Sequence, residues 1–174
     1  NFSSSLSTNR SQIDIGYNAM ENLTGGYYSV AIGGYALDAA LNPDEVIAIG
    51  LDALGSATNP SYTIAIGNGS LFADSNGYGN TSIGAYSANY LDDNLGGYGA
   101  NTIVGGYAAN RLTNAEESIA IGFGALYGNS SNTQLSAGNT AIGYYAGAGW
   151  LSGSNNIWLG YETDAFRSGS NNVI

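Results

Sequence analysis

The stretch Ile47-Ala-Ile-Gly50 is followed by Ile64-Ala-Ile-Gly67, and the same phrase recurs along the whole chain. An aliphatic residue precedes a glycine nine times, and Ala, Ser or Thr stands three residues after each of these glycines. The nine are Gly16, Gly33, Gly50, Gly67, Gly84, Gly105, Gly122, Gly143 and Gly160, so that the spacings are 17, 17, 17, 17, 21, 17, 21 and 17. A fixed period this short indicates that each unit is one coil of a stacked rod.

The residues before each glycine have the period of a β-strand. We number positions from the repeat glycine, which is position 0. Position −1 is Ile, Val or Leu in all nine coils, and position −3 is Ile, Val or Thr. Because side chains alternate across a strand, this spacing with β-branched enrichment predicts one strand per coil. We expect positions −1 and −3 to form the core, and positions −2 and −4 to face outward, the latter as a polar ladder.

The predicted fold is all-β, a single-domain parallel β-solenoid of about 17-residue coils, nine to ten in number. Residues 12–174 form the solenoid, and residues 1–11, which lack the repeat, form an N-terminal arm or cap. The repeat glycine is expected at a corner with positive φ or a close backbone approach. One coil alone does not stay folded, since ordering each residue costs roughly 1 to 2 kcal/mol and each buried aliphatic side chain returns only about 1.5 to 3 kcal/mol.

Composition excludes several classes of function. The chain of 174 residues has a net charge of −10 with three Arg and no Lys, so an anionic nucleic acid or membrane surface would be repelled. It contains no Cys and no His, which removes disulfides, thiol nucleophiles and the usual general base. We therefore expect a non-enzymatic protein without a cofactor or a bound metal. An extracellular, cell-surface or virion location is expected, and no apolar stretch has the length of a membrane span.

Acidic pairs are the remaining candidates for chemistry. Asp44-Glu45 and Glu116-Glu117 occupy the same positions of their coils, four coils apart, too far to act as a catalytic pair. We interpret them as solvated edge charges. Asp92-Asp93 is the other adjacent pair, and a weak Ca²⁺ site there is the alternative to a solvated loop.

Contacts with other molecules are predicted at the outward position −2 and at the chain end. Trp158 and Ile103 are large where alanine is usual, so an outward side chain here marks an anchor for a partner or a surface covered by the chain itself. The candidate contact residues are Ala31, Ala48, Ala65, Ile103, Ala120, Ala141, Trp158, Val173 and Ile174.

Tyrosines and two insertions supply further candidate surfaces. Seven tyrosines follow the repeat glycine by one or two residues, either as a ladder that stabilises adjacent coils or as a stripe that grips sugar rings. They are Tyr17, Tyr35, Tyr86, Tyr107, Tyr144, Tyr145 and Tyr161. Residues 88–101 and 126–139 each carry four extra residues and are expected to bulge from one face as recognition loops.

The phrases Ser29-Val-Ala-Ile-Gly33, Ser118-Ile-Ala-Ile-Gly122 and Asn139-Thr-Ala-Ile-Gly-Tyr144 resemble the repeats of trimeric autotransporter adhesin heads and of β-helical phage tail fibres. The resemblance covers residues 12–174. It implies a left-handed parallel β-roll that trimerises and binds host matrix or sugars. The adhesin repeat is shorter than the repeat of this chain, and no neck, coiled-coil stalk or membrane anchor is visible here.

These features predict a structural subunit of an extracellular filament or fibre. The segment Ser168–Ile174 begins a tenth copy of the phrase, which favours head-to-tail stacking of solenoid ends. The alternative is a trimeric adhesin head or tail-fibre segment that binds a cell-surface glycan or protein. An ice-binding solenoid ranks third, because the expected outward position −2 is alanine, interrupted by Asp14 and Trp158, where a flat array would want threonine. The partners are thus expected to be further copies of the chain, with a glycan second.

Overall fold

The protein is an all-β parallel solenoid with one main sheet that runs its length. The computed structural model describes residues 11–91, 99–113, 115–128, 136–149, 152–163 and 169–174. The strands are β1 (Ile13–Ile15), β2 (Val30–Ile32), β3 (Ile47–Ile49), β4 (Ile64–Ile66), β5 (Thr81–Ile83), β6 (Thr102–Val104), β7 (Ala115–Glu116), β8 (Ile119–Ile121), β9 (Ser136–Ala137), β10 (Thr140–Ile142) and β11 (Ile157–Leu159). The main sheet has nine strands in the order β1-β2-β3-β4-β5-β6-β8-β10-β11, all parallel.

Strand pairing follows the repeat without a slip. Ala31 pairs with Ala48, and Thr81 pairs with Thr102 across the first four-residue insertion. Nine strands bound eight complete turns, and Val173 adds a further bridge to Ile157, as the tenth copy of the phrase predicts. The predicted length of the coil is confirmed, because each strand pairs with the next copy of the phrase. The segment 1–10 of the predicted arm, and residues 92–98 and 129–135 of the two insertions, lie outside the described residues.

A narrower ladder runs beside the main sheet. Tyr27, Asp44, Ser61 and Tyr78 form successive parallel bridges, and β7 pairs with β9 at the same position of later coils. Elsewhere each coil donates amide hydrogens to the next, as from Leu37 to the carbonyl of Ala53 at 3.0 Å. The backbone of every described coil is therefore tied to its neighbours on several sides.

The repeat glycines meet one another at a single corner of the rod. Their φ values run from 129° to 149°, a region that L side chains rarely adopt. A Cβ built on Gly33 would overlap the carbonyl oxygen of Gly50, and the same overlap recurs at each step from Gly16 to Gly160. Both reasons proposed from the sequence, positive φ and close backbone approach, are confirmed.

Three further residues per coil turn the chain through the left-handed region. In the second coil these are Tyr28, Tyr35 and Leu37, with φ of 53°, 57° and 52°. Left-handed conformations cost an L residue roughly 1 to 2 kcal/mol each. Since most of these positions hold residues other than glycine, a coil is a strained unit that its stacked neighbours must stabilise.

The side chains of the main sheet point opposite to the sequence prediction. Position −2 faces inward: Ala31, Ala48 and Ala65 have no exposed surface. Ile103 and Trp158 are likewise buried, at 2 % and 1 % exposure. The aliphatic residues at positions −1 and −3 point out of the rod, and none of them is buried. The prediction that the alanine positions face outward is therefore wrong, and so is the prediction that the isoleucine positions form the core.

Core volume explains this orientation. Position +4 holds a buried Leu or Met in five coils, and leucine there accompanies alanine at position −2, as in Leu37 with Ala31 and Leu54 with Ala48. A buried Ala or Ser at position +3 and further residues such as Leu91 complete the core. Where position +4 is Ala109, position −2 is Ile103. A coil this short leaves a thin interior, which small residues at positions −2 and +3 fill together with the side chain at position +4, so two isoleucines per strand would overfill it.

The large side chain of Trp158 at position −2 is compensated by a small residue at position +4 of the preceding coil. A Cβ on Gly147, which stands at position +4 where leucine is usual, would lie 3.0 Å from the indole ring of Trp158 and 3.1 Å from Leu126. The missing leucine makes room for the tryptophan of the next coil. The indole ring thus fills core volume that position +4 leaves empty in the preceding coil.

The polar ladder at position −4 is present, but inside the rod. Asn156 donates its backbone amide and its side-chain amide to the Oδ1 of Asn139, at 3.0 and 3.1 Å, and the Oδ1 of Asn156 accepts two bonds from Asn172 in the same way. Asn80, Asn101 and Ser118 continue the pattern. Each of these side chains accepts a hydrogen bond from the backbone amide at position −4 of the next coil. Because buried backbone donors need partners, this explains the polar residues within the core.

The glycine corner makes a direct prediction for stability. Gly33→Ala should lower the free energy of unfolding by about 3 kcal/mol or more, because it adds strained φ and a clash with Gly50. Gly34→Ala is the matched control, since its Cβ would meet Leu51 at an ordinary 3.4 Å, and it should change stability by less than about 1 kcal/mol. Urea unfolding followed by circular dichroism measures both. Equal losses in the two variants would contradict the close approach.

Candidate interaction surfaces

The outward side of the main sheet is a continuous apolar surface, which we call the aliphatic face. It consists of the side chains at positions −3 and −1, seventeen of them β-branched and none charged. They are Ile13, Ile15, Val30, Ile32, Ile47, Ile49, Ile64, Ile66, Thr81, Ile83, Thr102, Val104, Ile119, Ile121, Thr140, Ile142, Ile157 and Leu159. Ile15 is 49 % exposed and Leu159 is 65 % exposed.

The aliphatic face has the size of the largest apolar patch on a typical single chain. Nine strands about 4.8 Å apart give a height of about 40 Å, and three residues per strand give a width of about 10 Å, so the flat area is about 400 Å². The largest apolar patch on a typical monomer is about 300 to 600 Å² and often functional. This face reaches that range before the residues beside it are counted.

Aromatic rings line the edge at which the strands end, and we call this row the aromatic ladder. Its members are Tyr86, Tyr107, Phe123, Tyr144 and Tyr161. Successive ring centroids lie 5.4, 5.7, 5.8 and 5.1 Å apart. The inter-coil ladder proposed from the sequence is thus present, and Tyr17 with Tyr35 repeats it in the first coils at 5.4 Å.

Phe123 is the member that the sequence reasoning missed. It stands at position +1, where tyrosine is found in the first, eighth and ninth coils, so counting all aromatic residues rather than tyrosine alone would have found it. Glycine on the preceding coil makes room for these rings: a Cβ on Gly106 would lie 3.4 Å from Phe123, and one on Gly69 would lie 3.1 Å from Tyr86.

Stacking limits what the ladder can bind. The planes of Tyr86 and Tyr107 differ by 24°, and those of Tyr144 and Tyr161 by 12°. A ring that stacks on its neighbour offers less of its face to a sugar ring, which binds to an aromatic face. The geometry therefore favours the structural interpretation of the ladder over the sugar-binding stripe.

Carboxylates occupy other sides of the rod. Burial raises the pKa of Asp38, and the nearby charges of Glu21 and Asp52 raise it further. The charges of Glu45 and Asp44 raise the pKa of the exposed phenol of Tyr62. Within the described ranges, no group of three or more acidic, His or Cys side chains is placed to hold a metal ion. The predicted pair Asp92-Asp93 lies outside those ranges.

The predicted contact residues divide into two sets. Ala31, Ala48, Ala65, Ile103, Ala120, Ala141 and Trp158 are buried within the chain and are not presented at its surface. Val173 and Ile174 lie beyond β11 with 78 % and 39 % of their surface exposed. The outward surface that the sequence analysis assigned to position −2 is formed instead by the side chains at positions −3 and −1.

Comparison with protein-family models, with curated proteins and with solved structures gave no match. Among the described residues, no helix has the length and apolar character needed to cross a membrane.

The environment of Asp38 predicts a pH dependence of stability. Because its pKa in the folded state lies above the ordinary value of 3.8, the folded chain holds this proton to higher pH than the unfolded chain does. Stability should therefore fall as pH rises from 3.8 through the raised pKa of the folded state. Asp38→Asn should raise the urea midpoint at neutral pH but not below pH 3.8. Glu116→Gln, which removes one charge at a remote coil, is the control. A gain for Asp38→Asn that is the same at both pH values would contradict this account.

Proposed function

We propose that the chain is a non-enzymatic structural segment of an extracellular fibre or adhesin head, in which three copies lie side by side and bury their aliphatic faces against one another. The observation that carries the proposal is that seventeen β-branched side chains, all exposed or half-buried, lie on one uncharged sheet surface. Burying such side chains contributes about 1.5 to 3 kcal/mol each.

A further copy of the same chain is the occupant that fits this face best. Both surfaces repeat at about 4.8 Å, so side chains of one rod can fill the gaps between coils of another along the whole length. With a net charge of −10, copies of the chain repel one another where their charges meet. The face carries no charge, so contact through it keeps the carboxylates on the outside.

The area of the face is small for a single pair of rods. A stable pairwise interface buries about 800 Å² on each partner, which is twice the flat area of about 400 Å² estimated for the face. In a bundle of three, each rod contacts two neighbours instead of one. The resemblance of the repeat phrases to trimeric adhesin heads supports the same number.

Binding of a cell-surface glycan or protein belongs to this proposal as the role of the outer sides of the bundle. The two insertions, residues 88–101 and 126–139, are the segments proposed for it. The head-to-tail filament predicted from the sequence uses strand edges instead of the aliphatic face, and it stays a prediction.

Lateral association is tested by replacing part of the aliphatic face. Ile47, Ile49, Ile64 and Ile66 are changed together to serine, and sedimentation equilibrium measures the mass. The wild type should sediment at three times the chain mass of 17.8 kDa. The variant should sediment as a monomer with unchanged β circular dichroism, since these side chains lie outside the core.

A matched control changes exposed side chains on another side of the rod. Tyr28→Ser with Tyr62→Ser removes apolar surface from residues that are 62 % and 48 % exposed and should leave the trimer intact. A wild-type monomer at high concentration would overturn the proposal. Long filaments in electron microscopy that persist in the serine variant would favour head-to-tail stacking.

A second candidate function is ice binding by the same face. The argument against it assumed that alanine faces outward, whereas the outward residues are Ile, Val and Thr, with Leu159 at the last strand, in a regular array without charge. Thr81, Thr102 and Thr140 supply hydroxyls at position −3. If this function holds, the wild type is monomeric and shows thermal hysteresis that Ile64→Asp abolishes. A trimer without thermal hysteresis excludes it.

A further inference from the structure

Paired tyrosines of the aromatic ladder form a second feature of the rod, which the proposed function does not use. We propose that Tyr86 and Tyr107 are a site of oxidative cross-linking, at which a carbon–carbon bond between the two rings staples adjacent coils of one chain. Tyr144 and Tyr161 form a second pair of the same kind.

Geometry carries the proposal. The rings of Tyr86 and Tyr107 lie 5.4 Å apart at 24°, and both side chains are exposed, at 38 % and 39 %. In an offset stack the ortho carbons of the two phenols lie side by side, whereas in an edge-on pair such as Tyr62 and Tyr78 one ring points at the face of the other. The stacked pairs are therefore better placed to couple.

Composition leaves tyrosine as the residue suited to this task. The chain has no Cys for a disulfide and no Lys for an amide cross-link, but it has fourteen Tyr. Tyr86 and Tyr107 both stand two positions after the repeat glycine of their coils, so a bond between them closes a loop that spans one whole coil. Closing such a loop stabilises a fold by restricting the unfolded chain, as a disulfide does.

The reaction balances with a peroxide as the oxidant, through a haem peroxidase. Each phenol gives up one electron and one proton, and the two phenoxyl radicals join through an ortho carbon of each ring. The hydrogens on those carbons move to the oxygens and restore both phenols. One hydrogen peroxide is reduced to two waters, and the protein loses two hydrogen atoms.

Phe123 confines the reaction to separate pairs. Its ring lies between those of Tyr107, 5.7 Å away and tilted by 60°, and Tyr144, on which it stacks at 5.8 Å, and without a hydroxyl it forms no phenoxyl radical. Tyr144 also contacts Tyr145 at 4.7 Å, so its radical has a competing partner. The charge and hydrogen bond of Glu162 raise the pKa of Tyr161, which disfavours the readily oxidised phenolate. The pair Tyr86–Tyr107 should therefore react first.

The test treats the folded protein with a haem peroxidase and limiting hydrogen peroxide. We expect dityrosine fluorescence, an intact mass lower by two hydrogen atoms, a raised melting temperature, and a cross-linked peptide that contains Tyr86 and Tyr107. Tyr86→Phe and Tyr107→Phe keep the stacking and should each abolish that peptide. Tyr90→Phe changes a tyrosine that is 56 % exposed outside the ladder and should leave the yield unchanged.

Two results would overturn the proposal. One is cross-linking that joins different chains while the Tyr86–Tyr107 peptide is absent. The other is a yield of that peptide in urea-unfolded protein equal to the yield in folded protein, since stacking would then contribute nothing. Running the reaction on the serine variant of the aliphatic face separates this inference from the proposed trimer, because the cross-link forms within one chain.

Discussion

The close approach of backbones at the glycine corner is the constraint on which the rest of the molecule depends. From Gly16 to Gly160, each repeat glycine lies against the next with no room for a Cβ. This contact holds successive coils at strand spacing and keeps every position in register, even across the two insertions. Left-handed residues such as Leu37 add strain to each turn, so a coil is stable only between neighbours.

A stack this tight has a thin interior, and the small volume of that interior determines which side chains are buried. A few small alanines and, in most of the early coils, one leucine fill the apolar part, and a ladder of buried asparagines satisfies the backbone beside it. Substitutions are compensated locally, as where Gly147 admits the ring of Trp158. The aliphatic side chains at positions −3 and −1 are left outside this filled interior, and they lie on the surface as an apolar face bordered by stacked rings. An internal packing limit thus creates the surface through which we propose that the chain assembles.

The aliphatic face and the aromatic ladder differ in how much of the rod they involve. The aliphatic face is a property of the whole rod, and a partner with the same repeat can cover it. The aromatic ladder is local to pairs of coils, and its stacked geometry suits reaction between rings better than it suits binding of sugar rings. The association that we propose for the first and the cross-linking that we propose for the second are independent of each other.

The sequence by itself determined the solenoid, the length of its coil, the strand at positions −3 to −1, the glycine corner and the alignment of the tyrosines. Each of these follows from the period of the repeat, which can be read from the spacing of the repeat glycines. Only the tertiary structure decided which side of the strand is inside. The alternation of side chains along a strand places Ile47 and Ile49 on one side and Ala48 on the other, whichever side faces the core. Hydrophobicity alone predicts that the isoleucines face the core, which is wrong. The volume enclosed by a coil settles it, because that volume depends on how the whole turn closes: alanine at position −2 fits beside a leucine at position +4, and Ile103 fits there beside Ala109.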